Sequence, residues 1–129
     1  MLFRSLRRLA AQDTTNAGWQ RDLSVSHDRV GDVLLAQGDA AGALGEYRAS
    51  LAIAERLAAQ DPTNADWQRN LWVSYWRMAV LAEKSGRADE AKTHWRKAHD
   101  TLAGMKRRGL FVSPQDEGFL PQLRAKAGG

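Results

Sequence analysis

The sequence predicts an all-α fold, a right-handed α-α superhelix of stacked helix pairs, on three observations. The stretch Leu9-Ala10-Ala11-Gln12-Asp13-Thr14-Thr15-Asn16-Ala17-Gly18-Trp19-Gln20-Arg21 returns 48 residues later as Leu57-Ala58-Ala59-Gln60-Asp61-Pro62-Thr63-Asn64-Ala65-Asp66-Trp67-Gln68-Arg69. A stretch kept in register over this length marks one supersecondary unit stacked on copies of itself. Apolar residues between the copies recur at steps of three, four and seven, as one face of a helix requires. The composition is that of a globular helical chain: 43% hydrophobic, 26% charged, 3 Pro, with many Ala, Leu, Arg and Gln.

In chain order, residues 2–12 read as a short helix with Leu2, Leu6 and Leu9 at helical spacing and Arg4, Arg7 and Arg8 turned outward. This stretch is basic and amphipathic, as a targeting or membrane-surface segment would be. Its register argues otherwise: Arg8 to Gln12 match Arg56 to Gln60, which makes it the tail of a repeat's second helix, a half-repeat. Asp13-Thr14-Thr15-Asn16 supplies turn and capping residues, with Asn16 placed to accept the first free amide protons of a helix beginning at Ala17.

Repeat 1 spans 17–60. Its first helix runs to about Gln37, with Trp19, Leu23, Val30, Val33 and Leu34 as the predicted apolar side. Gly38 closes it and Asp39 caps the next, whose apolar side is Ala43, Leu44, Tyr47, Leu51, Ile53, Ala54 and Leu57. So short a connection makes the pair antiparallel. Repeat 2 spans 65–108 on the same plan: Pro62 stops the preceding helix near Gln60, Asn64 caps, Gly86 turns, and Ala91, Trp95, Ala98, Leu102 and Met105 form the buried stripe of the second helix. After Gly109 the register breaks. Ser113 and Pro114 start a last helix within 113–126, with Phe119, Leu120 and Leu123 on its apolar side and Pro121 predicted to kink or end it. A solenoid needs an end piece over its last repeat, and this segment is the candidate. The whole chain, 1–129, reads as a single domain.

Composition also narrows the function. No Cys excludes disulfides and thiolate metal sites and fits a reducing compartment, so a cytoplasmic location is expected. The net charge of +4 is dispersed along the chain, which is weak support for nucleic acid. No apolar run approaches the roughly 20 residues that span a bilayer. His27, His94 and His99 have no common face for a metal, no phosphate loop follows a strand, and Asp89-Glu90 complements a helix dipole. No enzyme activity, cofactor or metal is expected.

Gly31, Gly38, Ala43, Tyr47, the small Ser50 and Leu51, answered by Ala79, Gly86, Ala91, Trp95 and Ala98 in the second copy, sit at the relative spacings of the tetratricopeptide repeat signature. From Ala17 to Met105 the chain resembles that family, in a long-period form: the spacing is 48 where the usual repeat has roughly 34 residues. The large aromatic usual early in the first helix is replaced by His27 in one copy and Tyr75 in the other, with Trp19 and Trp67 one or two turns earlier. The resemblance implies a non-enzymatic scaffold that holds a peptide or helix in a concave groove lined by first helices. One subgroup of the family clamps a partner's terminal carboxylate with Lys and Asn; Asp28, Asp32, Trp76 and Val80 stand at the corresponding positions here, so chaperone-tail binding is not expected.

The copies differ most on one face, where Ser24, Asp28 and Asp32 become Trp72, Trp76 and Val80. Steps of four put each set on one side of its helix, and Trp is enriched in binding hot spots. Asp28, Asp32, Trp72, Trp76 and Val80 are therefore the candidate partner-binding residues, with the acidic half steering the partner. Two plainer explanations stand beside this one: Phe119, Leu120 and Leu123 cover the tryptophans, and the aspartates are a solvated face balanced by Arg21 and Arg29. The alternative function is self-association, as a homodimer or by helix exchange, through Leu2, Phe3, Leu6 and Leu9. RNA or membrane-surface binding through basic ends such as Lys106, Arg107 and Arg108 is the third class.

Overall fold

The computed structural model describes residues 16–128 and, among them, contains helices and no strands. Four long helices come first: α1 (Ala17–Ala36), α2 (Ala40–Gln60), α3 (Ala65–Lys84) and α4 (Ala88–Arg107). Two short ones follow, α5 (Pro114–Glu117) and α6 (Leu120–Lys126). The helix packing is that of a helical repeat, with α1 on α2, α2 on α3, α3 on α4, and α4 on α6. The half-repeat expected over 2–12, including Leu2, Phe3, Leu6 and Leu9, lies outside the described residues.

Local chemistry sets the boundaries. Asn16 and Asn64 each accept the backbone N–H three residues on, from Trp19 and Trp67, both at 3.0 Å, and so satisfy a donor that the first turn leaves open. Asp39 does the same for Gly42 at 2.8 Å. α1, α3 and α4 end alike, on Gly38, Gly86 and Gly109 with φ of 84°, 73° and 74°. The following N–H then reaches back five residues, Asp39 to Leu34 O, Arg87 to Ala82 O and Leu110 to Met105 O. α2 stops differently. Asp61 is extended ahead of Pro62, and its Oδ1 accepts from both the N–H and the hydroxyl of Thr63.

Two expectations need correcting. The helix expected over 113–126 is broken into two, with Gly118 and Phe119 between them. Pro121 lies in the first turn of α6, where its missing N–H costs nothing, so it sits at a start and not at a kink. In α1 the predicted apolar side is the buried side only in part: Leu23 is enclosed and Trp19 and Leu34 pack on apolar clusters, but Val33 is 56% exposed, and the other enclosed positions are Gln20, Ser24, His27, Asp28 and Gly31. Small and polar residues carry that face because their partners are polar. Ser24 and Ser50 hydroxyls meet at 2.8 Å, and His27 Nδ1 lies 2.5 Å from Glu46.

α1 and α2 approach each other closely at Gly31. A Cβ there would stand 2.5 Å from Tyr47 Cε1, and Tyr47 is 2% exposed with its hydroxyl donating to Asp32. Gly31→Ala gains about 1 kcal/mol of helix propensity but must displace an enclosed ring, which costs about 1–3 kcal/mol. A net loss of about 1 kcal/mol is expected by urea unfolding, whereas the equivalent Ala79 already tolerates its Cβ.

Candidate functional site

α1 and α3 occupy the same place in successive repeats and lie side by side. Three polar contacts join them. Asn70 donates to Ser24 Oγ at 3.3 Å, Arg21 lies 3.9 Å from Asp66, and Arg77 reaches both Asp28 (3.5 Å) and Asp32 (3.2 Å). Between the helices runs a groove of about 290 Å³. Arg21, Val25 and Arg29 line it from α1 and Arg69, Val73 and Arg77 from α3, with Asp66 and Asn70 of α3 beside them. The first two sets are the same three residues at the same register, an Arg-Val-Arg stripe at steps of four present in both copies.

The four arginines differ in how far they are already engaged. Arg77 is held by two carboxylates. Arg69 meets Asp116 at 2.7 Å. Arg21 makes only long contacts, 3.9 Å to Asp22 and to Asp66, and its Nε is buried without a hydrogen-bond partner. Arg29 is exposed and forms no ion pair with the described residues.

Asp28 forms part of the floor and is 3% exposed, with Oδ1 unpartnered. Burial raises its pKa above the ordinary carboxylate value, opposed first by the Arg77 guanidinium and then by the Ser50 hydroxyl.

The five residues nominated from the sequence do not share one surface. Asp28 and Asp32 face α3, where Arg77 pairs with both, and Asp28 is enclosed, so they do not form an open acidic face. Trp72 and Trp76 face the C-terminal segment: Phe119 lies 6.1 Å and 5.0 Å from their ring centres, and Trp76 stacks edge-on against Trp95 at 5.3 Å. Trp72 is 2% exposed, while Trp76 and Val80 are half-buried at the edge of the same cluster. Asp116 and Glu117 fasten this segment through Arg69 and Lys106. The two sets are equivalent faces of successive repeats, one turned to the next repeat and the other to the end piece. Leu2, Phe3, Leu6 and Leu9 lie outside the described residues.

Sequence reasoning passed over the groove arginines, although the identity of Arg21 with Arg69 and of Arg29 with Arg77 was their signal. Among the described residues no group of three His, Asp or Glu is placed to hold a metal ion, and no helix is long and apolar enough to cross a membrane.

Residues 19–125 match the family described as a protein of unknown function, DUF2753. The chain belongs to that family. The match spans both Arg-Val-Arg stripes, all four long helices and most of the C-terminal segment, so the groove lies wholly inside the family's extent. No curated protein and no solved structure matches the chain.

Proposed function

We propose that this chain is a non-enzymatic, cytoplasmic interaction module, a right-handed superhelix of tetratricopeptide type whose groove between α1 and α3 holds an acidic peptide segment of a partner protein. The observation that carries the proposal is the doubled Arg-Val-Arg stripe on the two walls of one groove. Val25 and Val73 offer an apolar strip, and Arg21 and Arg29, the arginines least engaged by the chain's own carboxylates, offer guanidinium groups along its rim, a donor fork suited to carboxylates. Steering therefore comes from the arginines and not from Asp28 and Asp32, which Arg77 already engages. The family resemblance supports the same use of first-helix surfaces.

The test is fluorescence anisotropy with a labelled glutamate-rich peptide and a lysine-rich peptide of equal length. Wild type is expected to bind the acidic peptide, more weakly as salt rises. Arg21→Glu with Arg29→Glu is expected to weaken binding at least tenfold, about 1.4 kcal/mol, without changing the melting temperature. Equal binding of both peptides, or an unaffected double variant, would count against the groove.

A further inference from the structure

α2 and α4 each pack on α3 and leave between them a cavity of about 500 Å³ that shares no residue with the groove. Leu44 and Leu51 of α2, both half-buried, line it together with Met78 and Leu81 of α3. Its polar lining includes Arg48, Arg87, Glu90 and His94. The repeat register shows that one polar partner is missing here. In the first copy His27 Nδ1 has a carboxylate, Glu46, at 2.5 Å. The same two positions 48 residues on hold Tyr75 and His94. Tyr75 donates its hydroxyl to Glu55 at 2.8 Å, and its ring stacks on the His94 ring with centres 6.5 Å apart. The second copy thus keeps an imidazole and loses the carboxylate, and His94 Nδ1 is buried with no hydrogen-bond partner. Burial, and then the Lys97 charge, hold His94 below its ordinary value, so near neutral pH the ring is uncharged and one nitrogen carries a hydrogen to donate.

We propose that this cavity is a binding site for an aliphatic monocarboxylate, a small amphiphile whose chain lies on Leu44, Leu51, Met78 and Leu81 and whose carboxylate accepts from His94 and pairs with Arg48. Three observations favour that ligand. The volume lies in the range of small-molecule sites, about 300–1,000 Å³. The charges at the rim do not cancel: Arg48 is exposed and forms no ion pair with the described residues, while Arg87 has Glu90 at 3.7 Å. Two arginines against one glutamate leave one positive charge in excess, which a single carboxylate neutralises. The leucine and methionine lining then requires an apolar body, because an inorganic anion would leave it unfilled and a neutral alkane would leave Arg48 and the His94 donor unanswered. The site stands independently of the acidic-peptide groove, with which it has no residue in common.

The test is isothermal titration calorimetry of the whole chain with sodium octanoate, octanol and octylammonium chloride. Octanoate is expected to bind at one site, about tenfold or more tighter than octanol, and octylammonium not to bind. From hexanoate to octanoate, each added methylene is expected to tighten binding about two- to fourfold. Arg48→Glu, at an exposed position, is expected to weaken octanoate about tenfold and to leave octanol unchanged. His94→Phe, which keeps a ring against Tyr75 and removes the donor, is expected to weaken octanoate more than octanol. Ala41→Trp, on the exposed part of the lining, is expected to exclude both by filling the cavity. If His94→Phe fails to fold, Arg48→Glu and Ala41→Trp decide the matter. Equal binding of the three amphiphiles, octanoate binding untouched by Arg48→Glu and Ala41→Trp, or no octanoate binding at millimolar concentration would overturn the proposal.

Discussion

Trp72→Ala is expected to lower the unfolding free energy by about 3–5 kcal/mol, the range for removing an enclosed large aromatic from a core. The ring is 2% exposed and has Trp76 at 6.2 Å, Phe119 at 6.1 Å and the Arg69 guanidinium 5.7 Å from its centroid. Its loss opens a cavity beneath the segment that covers this face of α3, so the C-terminal segment loosens with it. Trp72→Phe is expected to lose far less, because it keeps most of the packing and removes an indole N–H buried without an acceptor. Urea unfolding followed by circular dichroism checks both; a Trp72→Ala loss under about 1 kcal/mol would mean that the ring stack contributes little.

Arg77→Ala comes next, at about 2–4 kcal/mol near neutral pH, because it leaves Asp28 charged, 3% exposed and without its counter-ion. The exposed share of Arg77, 29% of its side chain, keeps the figure below that of a fully enclosed pair. The loss should depend on pH. The Asp28 carboxyl titrates above its ordinary value of 3.8 when folded, so over the window just above 3.8 the folded chain holds a proton that the unfolded chain has released. Stability attributable to this group is therefore greatest in acid and falls as pH rises through that window. Without Arg77 the opposing charge is gone and the folded pKa moves further up, which widens the window. Arg77→Ala is accordingly expected to cost less at pH about 4.5 than at pH about 7.5, and Asp28→Asn in the same chain to restore much of the loss. A deficit that is constant with pH and unaffected by Asp28→Asn would show that the arginine stem, not its charge, carries the effect.

What the sequence reveals depends on how local the cause is. Asn16, Asn64, Asp39 and Ser113 cap the helices they were expected to cap, since a cap involves only the next three residues. The glycine turns follow for the same reason. Asp28 and Trp72 could not be placed that way. Their register shows that they point in the same direction from their helices, but what stands opposite is another repeat in one case and the end piece in the other. That difference also explains the exchange of the Ser24 and Ser50 pair for Trp72 and Ala98 at the same register. Part of the buried side of α1 escaped hydropathy because Ser24, His27 and Asp28 are enclosed by polar partners. The groove was visible as identity between Arg21, Val25, Arg29 and Arg69, Val73, Arg77, yet identity between copies is equally the mark of packing, and only the spatial pairing of α1 with α3 separates the two.

The seam between α1 and α3, mostly polar, with Ser24 and Asn70, Arg21 and Asp66, and Arg77 shared by two aspartates, has a consequence for how the molecule opens. Ionic and hydrogen-bonded joints lose little when water enters, whereas the joint of α3 with the end piece, built of aromatic rings, loses all its buried area at once. Local opening is thus graded along the stack: parting α1 from α3 costs less than parting α3 from the end piece, while α1 stays packed on α2 through Ser24, His27 and Gly31. The same gradient lets the arginine-lined groove widen without disturbing the aromatic cluster at the other end of the stack.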